Sequence, residues 1–535
     1  MGNLSPMNPT TTNSDPGRGW WRLLSGYQWF VLIVAALGWL LDCLDQQLFL
    51  LARVPAMKEL LQTPGGGPPR PDQVAEFGAY TTSIFLLGWA SGGLVFGVVG
   101  DRWGRARTML LTILLYSGFT GLSALSTHFW DFALYRFLTG LGVGGEFAVG
   151  VTLVAEVMPD AARPYALSLL QALSTVGNIG AALISMGFGQ LERAGLVGGA
   201  EKWAAWRWMF VLGALPALLL VWVRRRLREP DRWLETRRQA KVPGQLGDYG
   251  ALFGNPHWKI PAALAGGVLL VGVLIGFLGP AEWNKRLIVT GFAGAALVAG
   301  LATVYGGGAD TRYRRRAVVG VLLAMSGVIG LWGIGFFSFD LVRSVLEKKF
   351  RADGMDPKLI GATVTQWVGV TSIMQNLGAA LGIYSFGLLA QKVGRRPAFA
   401  VTFIAAAIAT ASVFSFFTSL SQIFWLIPLM GFFQLGLFGG YAMYLPELFP
   451  TRLRSTGTSF CYNVGRFVAA SGPAALGQLT AVVFKDRPEP MRAAGVFMSL
   501  FFVLGLVTLW FAPETKGAPL PEEGMTPGAK PSPTR

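Results

Sequence analysis

The feature that most constrains the fold of this chain is its succession of long apolar runs. Of its 535 residues, 52% are hydrophobic and only 14% are charged, whereas soluble domains carry about a quarter charged residues. A run of about 18 or more apolar residues predicts a membrane-spanning helix. Twelve such runs form two sets of six, and two further runs lie between the sets. We therefore predict an all-α polytopic membrane protein with fourteen spans.

The polar segments around these runs divide the chain into seven regions. Basic residues mark loops on the cytoplasmic side of a plasma (inner) membrane, so we expect both termini on that side. In chain order the regions are a disordered cytoplasmic N-terminus (1–27), an N-terminal six-helix bundle (28–223), a basic cytoplasmic loop (224–259), an inserted transmembrane hairpin (260–305), a basic loop (306–316), a C-terminal six-helix bundle (317–512) and a cytoplasmic tail (513–535).

The charge and the rare residue types narrow the possible functions. A formal net charge of +16 would indicate nucleic acid binding in a soluble protein. Here the basic residues fall in predicted loops, so we predict a lipid bilayer and no nucleic acid as partner. The two cysteines, Cys43 and Cys461, lie inside apolar runs and predict neither a disulfide framework nor a metal site. We expect no metal, no cofactor and no enzymatic activity, and a monomer.

An internal repeat relates the two six-helix sets. GVVGDRWGRAR at 97–107 matches GLLAQKVGRRP at 387–397, and AEVMPDAAR at 155–163 matches PELFPTRLR at 446–454. Both matches are separated by about 290 residues, which indicates duplicated halves. Bundles with such parallel repeats hold a substrate site near the midplane between the halves and work by rocking one half against the other.

The repeated motifs carry charged residues at the cytoplasmic ends of predicted helices. Gly104 permits a tight turn, and Asp101 can interact with a helix N-terminus and a basic partner. In the second copy Gln391 replaces the acid, so we expect an asymmetric network. The predicted cytoplasmic gate comprises Asp101, Arg102, Gly104, Arg105, Glu156, Arg163, Glu447 and Arg454.

Ionisable residues also lie inside the first predicted helix. A charge at the bilayer centre costs about 3 kcal/mol, so it is usually paired or functional. Asp42, Asp45 and Arg53 share one helical face, which we expect to look into the bundle, with both acids in a crevice between the two halves. Arg136 of the fourth helix lies at a depth similar to that of Asp45, which predicts an ion pair. Asp42, Asp45 and Arg136 are predicted to couple protons to transport, and the alternative for the Asp45–Arg136 pair is a permanent structural salt bridge.

A third acid lies deeper along the fourth helix. Glu146 follows two glycines and stands ten residues after Arg136. It relays protons inward or bonds a neighbouring helix, and the pattern leaves both readings open.

Arg466 is the one cation near the midplane of the second half. No acid of that half lies at its depth, so it meets an acid of the first half, an anionic substrate or water. The fork of an arginine suits a carboxylate. Polar residues that could line the same site, or equally join helices, are Gln171, Asn178, Gln375, Tyr462 and Asn463.

The sequence resembles the major facilitator superfamily. GVVGDRWGRAR is similar to the family's signature loop, RFLTGLGVGGE at 136–146 to its fourth-helix motif, and PELFPTRLR and PETKG to its sugar-porter and metabolite:proton symporter branches. The resemblance implies two six-helix repeats, a signature loop that latches the inside shut, and coupling through a first-helix acid and a fourth-helix arginine. The seventh helix, GLWGIGFFSFD, lacks the paired glutamines of sugar porters, which favours the sialic-acid, lactate or aromatic-acid symporters.

These features predict a secondary active transporter, a proton-coupled symporter of a small organic anion. Two alternatives remain: a sugar or other metabolite carrier that works as a uniporter, and a transport-silent membrane sensor or receptor on the same scaffold.

Overall fold

The protein was analysed as a computed structural model. It describes residues 19–62, 69, 71–194, 196–197, 203–215, 217, 223, 226–240, 246–249, 252, 311–335, 337–469, 479, 483–484 and 486–521. The predicted hairpin 260–305 lies outside these residues.

The described residues up to 240 form five long α-helices and two short ones of nine residues each, the second of which lies in the basic loop after the first half. The apolar runs become helices because a backbone in lipid must satisfy its hydrogen bonds internally. The helices are α1 (Gly26–Leu60), α2 (Pro71–Trp103), α3 (Arg105–Ser123), α4 (Phe129–Val157), α5 (Arg163–Arg193), α6 (Ala205–Gly213) and α7 (Asp231–Gln239).

The second half repeats this order. Its first span runs over Tyr313–Ala352, so it begins four residues before the predicted start of the bundle at 317, and it contains a π-helical turn at Ile329–Gly335. The helices are α8 (Thr311–Val328), α9 (Phe337–Ala352), α10 (Pro357–Val393), α11 (Arg395–Phe416), α12 (Leu426–Glu447), α13 (Arg454–Ala469), α14 (Pro490–Met498) and α15 (Phe501–Leu509).

Within the described residues, nine helices are long and apolar enough to cross a membrane. The all-helical multi-pass architecture predicted from the sequence is therefore confirmed. The total of fourteen spans stays a prediction.

The disorder predicted for 1–27 does not hold for its last residues. Trp20 opens a short 3-10 helix, stacks on Tyr165 of α5 with ring centroids 5.9 Å apart, and donates from Nε1 to Tyr384 of α10 at 3.4 Å. Ser25 and Gln28 then form a capping box at the start of α1. The large apolar area of the tryptophan is enough to hold this segment on the bundle.

Glycines let pairs of helices pack backbone against backbone. A Cβ on Gly92 of α2 would meet the backbone of Leu141 of α4, and one on Gly144 of α4 would meet that of Trp89. In the second half, Gly382 of α10 faces the backbone of α12 in the same way. Such close approach is the usual packing of membrane helices, which lack a hydrophobic driving force between them.

Candidate functional site

One end of the bundle carries Trp20 and Pro521, close to the two ends of the described chain, and is called the gate end. Here Asp101, near the end of α2, accepts hydrogen bonds from the backbone N–H of Ser455 at 3.2 Å and of Thr456 at 2.8 Å. The hydroxyl of Thr456 also donates to Asp101, at 2.6 Å. These donors form the first turn of α13, where the helix dipole favours an anion. Asp101 therefore joins the two halves through a helix N-terminus, the kind of partner predicted for it.

A buried chain of charges extends from Asp101. Nη2 of Arg105 lies 2.8 Å from Oδ1 of Asp101 and 3.1 Å from Oε1 of Glu156. Arg454, from the second half, places Nη1 2.9 Å from the same Glu156 oxygen. All four side chains are inaccessible to solvent. Breaking such a buried network costs several kcal/mol because it leaves an uncompensated charge.

The ion pairs and hydrogen bonds of the second copy each stay within one half. Arg395 pairs with Glu447 at 2.9 Å, and Thr515 donates to Glu447 at 2.5 Å. Arg163, the repeat counterpart of Arg454, donates from Nε to the Ala155 carbonyl at 2.9 Å and pairs with Asp160. The network is therefore asymmetric, as predicted, and only the first copy carries an ion pair between the halves in the described region.

The signature loop is held by a residue that the sequence analysis missed. Gly104 has φ +125°, and the space its Cβ would fill is occupied by the carboxylate of Glu229. Glu229 accepts from the N–H groups of Ala106 and Arg107, both at 3.1 Å, at the start of α3. Arg102 donates to the Leu246 carbonyl at 3.0 Å.

The second half repeats this cap. Gly394 has φ +101°, and Glu514 accepts from the N–H groups of Arg395 at 2.9 Å and Arg396 at 3.0 Å. The acids of REP at 228–230 and PET at 513–515 are thus equivalent. The two acids follow their respective signature loops at similar distances along the chain, and this spacing could have identified them from the sequence.

The predicted pair of Asp45 and Arg136 is present inside the first half. Nη1 of Arg136 lies 3.7 Å from Oδ2 of Asp45, and both side chains are fully buried. Nε and Nη2 of Arg136 donate to Ser123 at 3.1 and 2.7 Å. The guanidinium also lies 4.6 Å from the ring centroid of Phe210.

The surroundings of this pair correct one expectation. The sequence analysis placed both first-helix acids in a crevice between the halves. The described contacts of Arg136 instead come from α1, α3, α4 and α6, all in the first half. A rocking motion of rigid halves would carry Asp45 and Arg136 together, so it would not separate them.

Asp42 faces the boundary between the halves. It is fully buried, and the charges of Glu146, Asp45 and Arg466 act on it. Glu146 Oε1 fills the place of a Cβ on Gly38, one turn before Asp42. Among the described residues, neither carboxylate oxygen of Glu146 has a hydrogen-bond partner. Two buried acids of the first half thus share a neighbourhood with a cation of the second.

Arg466 is enclosed by aromatic rings. Its Cζ lies 4.0 Å from the ring centroid of Trp89 and 4.1 Å from that of Tyr462. Its Nη1 donates to Asn463 at 2.9 Å. In the described part of the chain Nε of Arg466 has no partner. Trp332, on the π-helical turn, packs edge-on against Trp89 at 5.7 Å.

Of the other residues predicted to line the site, two contact Arg466 and three lie elsewhere in the bundle. Tyr462 and Asn463 contact Arg466 directly. Asn178 donates to Asn376 of α10 at 3.0 Å and so joins the halves. Gln171 is buried on α5, and Gln375 packs near Gly431 of α12. Trp89 and Trp332 were missed because a tryptophan inside an apolar run does not reveal in sequence which side it faces.

The described residues contain no group of three or more His, Cys, Asp or Glu that could hold a metal ion. The arrangement combines buried acids, an enclosed arginine and a closed gate.

Two family models match the chain, one in each half. "Sugar (and other) transporter" matches residues 71–242, and "Major Facilitator Superfamily" matches residues 354–534.

Several curated bacterial proteins are similar over most of the chain. A putative metabolite transport protein of Haemophilus influenzae is 26% identical over 93% of this chain and 99% of its own length. The sialic acid transporter NanX of Escherichia coli is 26% identical, over 71% and 73% of the two chains. The cis,cis-muconate transport protein of Acinetobacter baylyi is 27% identical, over 75% and 77%.

The fold is shared with a solved transporter. The structure of the proton:xylose symporter XylE bound to 6-bromo-6-deoxy-D-glucose matches with a TM-score of 0.62 and 18% identity, over 92% of this chain and 98% of that one. The chain belongs to the major facilitator superfamily, as a transporter of the sugar-porter and metabolite-transporter type.

Proposed function

We propose that the protein is a proton-coupled symporter that carries a small organic carboxylate by alternating access. The observation that carries this proposal is the position of Arg466, a buried cation of the second half that acts on Asp42 of the first half. Relatives named for sialic acid and cis,cis-muconate support an anionic substrate. We propose a plasma (inner) membrane location with both termini in the cytoplasm, as the basic loops indicate.

Proton binding is coupled to substrate binding if the substrate carboxylate and Asp42 both interact with Arg466. A nearby cation favours the charged form of a carboxyl group. When a substrate carboxylate binds Arg466, it takes over as counterion and weakens the hold of the arginine on Asp42. Asp42 then binds a proton more readily, so substrate and proton bind together and each raises the affinity for the other. Glu146 supplies a second acid beside Asp42.

In this proposal Asp45 and Arg136 have a structural role and do not couple protons to transport. Because they lie in one half, their separation does not change when the halves rock. We assign the coupling to Asp42 and Glu146, and we infer that the Asp45–Arg136 pair holds α1 against α4 in the first half. This role is the structural alternative considered for the pair from its sequence.

Alternating access requires a gate that opens and closes on one side. The network of Asp101, Arg105, Glu156 and Arg454 supports this role, because it joins the halves at the gate end. Opening there would break the bonds of Asp101 to α13 and the pair of Glu156 with Arg454. We propose that loading of the site favours this break.

The test is uptake by proteoliposomes that contain the purified full chain. Radiolabelled cis,cis-muconate and sialic acid serve as probes, with an inwardly directed proton gradient. We expect accumulation of at least one probe, collapse of that accumulation with a protonophore, and a substrate affinity that rises as pH falls. Uptake that ignores the proton gradient would indicate a uniporter, and binding without uptake would indicate a sensor.

A matched pair of variants locates the coupling. Asp42→Asn is expected to bind the probe with no dependence on pH and to lose gradient-driven accumulation while it retains exchange. Asp45→Asn removes the same group three residues along the same helix and is expected to keep the pH dependence of binding. The reverse result would return the coupling role to Asp45.

A further inference from the structure

The enclosure of Arg466 limits how a ligand can reach it. Trp89 and Tyr462 cover the guanidinium at 4.0 and 4.1 Å. Nη1 is engaged by Asn463. A ligand must therefore approach the guanidinium at its edge, through Nε, and any part of the ligand beyond its carboxylate meets aromatic rings.

The rings around this edge come from both halves. Trp89 belongs to α2 of the first half, and Trp332 to the π-helical turn of the second. On the other side Phe147 of α4 stacks on Tyr462 of α13, with centroids 4.0 Å apart. Each pair of rings separates when the halves part and closes when they meet. A flat body fits between closing rings with less separation than a puckered one.

Buried donors at this position lack partners. In the described residues, Nε of Arg466, Nε1 of Trp89 and Nε1 of Trp39 make no hydrogen bond. Trp39 belongs to the same cluster, because it packs on Phe147 at 4.8 Å. Buried polar groups without a partner carry a free-energy cost. Unpartnered donors are matched by an acceptor-only ligand group, which a carboxylate is, and Nε of Arg466 is the charged donor among them.

We propose that Trp89 and Trp332 are specificity-determining residues that select flat, unsaturated carboxylates over saturated or polyhydroxylated ones. This inference rests on the proposed function, and it names the substrate class of the same site. The Arg466 edge binds the carboxylate, and the flat body contacts the two tryptophans from opposite halves, one through its ring face and the other through its ring edge, because the two rings stand at 89° to each other. The π-helical turn at Ile329–Gly335 places Trp332 for this contact.

The experiment compares three small probes of similar size on the purified full chain by calorimetry. Benzoate is flat and charged, cyclohexanecarboxylate is charged but puckered, and benzyl alcohol is flat but uncharged. We expect benzoate to bind about two- to tenfold more tightly than cyclohexanecarboxylate, the range of an aromatic pair contact. Benzyl alcohol is expected not to bind measurably.

Variants then assign this discrimination to the tryptophans. Trp89→Leu and Trp332→Leu are expected to bring the ratio of the two carboxylate affinities close to one, while both carboxylates still bind. Trp332→Phe keeps an aromatic ring at position 332 and is expected to retain the affinity ratio. The comparison of Trp332→Phe with Trp332→Leu therefore tests the inference even if Trp89→Leu is unstable. Trp208→Leu, at a ring that is 41% exposed on α6, is the control and is expected to leave the ratio unchanged.

The outcomes separate the two proposals. Equal affinity for both carboxylates in the parent, or an unchanged ratio in both leucine variants, would overturn this inference and leave the organic anion carrier intact. Tighter binding of benzyl alcohol than of either carboxylate would overturn the proposed anionic substrate itself. A ratio that falls only in the tryptophan variants supports the selection of flat carboxylates.

Discussion

At the scale of single residues, the gate end shows how one acid can hold two halves together. Asp101 combines a salt bridge to Arg105 with acceptance from the first turn of α13. The pair of Asp101 with Arg105 lies within the first half, but the three donors at Ser455 and Thr456 are in the opposite half, so these three hydrogen bonds form only when the gate is closed. The same holds for the pair of Glu156 with Arg454.

Replacing Asp101 by asparagine is expected to impair the transport cycle. Asp101→Asn removes a negative charge that the N-terminus of α13 stabilises by about 0.3–2 kcal/mol. It also leaves the buried guanidinium of Arg105 with one anionic partner fewer. Insertion and yield should stay normal because the fold of each half is not altered. The measurement is initial uptake by proteoliposomes at matched protein content. Equal uptake by variant and parent would contradict this prediction.

Arg454→Ala is expected to favour the open gate, whereas Arg163→Ala is not. Only Arg454 bonds the opposite half, since Arg163 contacts Ala155 and Asp160 of its own half. The shift is at most about 3–5 kcal/mol, because Arg105 still pairs with Glu156. Hydrogen–deuterium exchange of peptides covering 93–103 and 454–463 should rise in Arg454→Ala alone. Similar exchange in the two variants would mean that the network does not set the gate.

At the scale of elements, segments outside the long helices tie the gate end together. The tail after α15 places Leu520 in a buried position, and the Pro521 carbonyl accepts from Arg454 at 3.3 Å. After α7, Gly247 donates to the Arg452 carbonyl at 2.9 Å, and the hydroxyl of Tyr249 donates to the Leu94 carbonyl at 2.9 Å. The sequence analysis predicted only a cytoplasmic tail at 513–535, and the described residues of this tail contact the gate end.

The docking of this tail is expected to depend on pH through Glu514. Burial opposes ionisation, but hydrogen bonds from the N–H groups of Arg395, Arg396, Thr515 and Lys516 outweigh it and lower the pKa of Glu514. Because the pKa of Glu514 is lower in the folded state, its ionised carboxylate stabilises the docked tail at pH values above the pKa of an unfolded glutamate, about 4.3. This stabilisation is lost as the pH falls below that value towards the folded-state pKa.

The measurement for this prediction is limited proteolysis of the tail between pH 3 and pH 6 with an acid-tolerant protease. The parent should become more sensitive below about pH 4. Glu514→Gln, which cannot ionise, should be sensitive throughout and show no step. A step of equal size in the variant would assign the pH dependence to another group.

At the scale of the whole molecule, the two halves meet along small residues. Gly93, Gly97 and Gly100 of α2 face Asn463, Ser459 and Ser455 of α13 in register. On the other side α5 meets α10 through the Asn178–Asn376 bond and the contact of Gly387 with Ser168. Close contact along α2 and α13 lets the gate network form, because the charges must approach to within about 3 Å.

Gly97→Leu is expected to hold the halves apart at the gate end. A Cβ there would lie 2.7 Å from Cβ of Ser459, across the boundary between the halves. We expect slower uptake and raised deuterium exchange in residues 454–463, with each half still folded. Gly118→Leu is the matched control, because a Cβ on Gly118 of α3 meets nothing within 4 Å. Slow uptake in both variants would point to a general effect of leucine on folding.

The sequence by itself determined the helices, the duplication and the charged motifs, because hydropathy, helical periodicity and repeat spacing are local properties. Depth along two helices was enough to predict the Asp45–Arg136 contact. Only the tertiary structure decided that Arg454 crosses to the other half while its counterpart Arg163 does not, and that Arg466 stands between Trp89 and Tyr462. The physical reason is that a side chain's partner depends on which helices pack together and how they are rotated, and chemically equivalent residues in a repeat can find different partners.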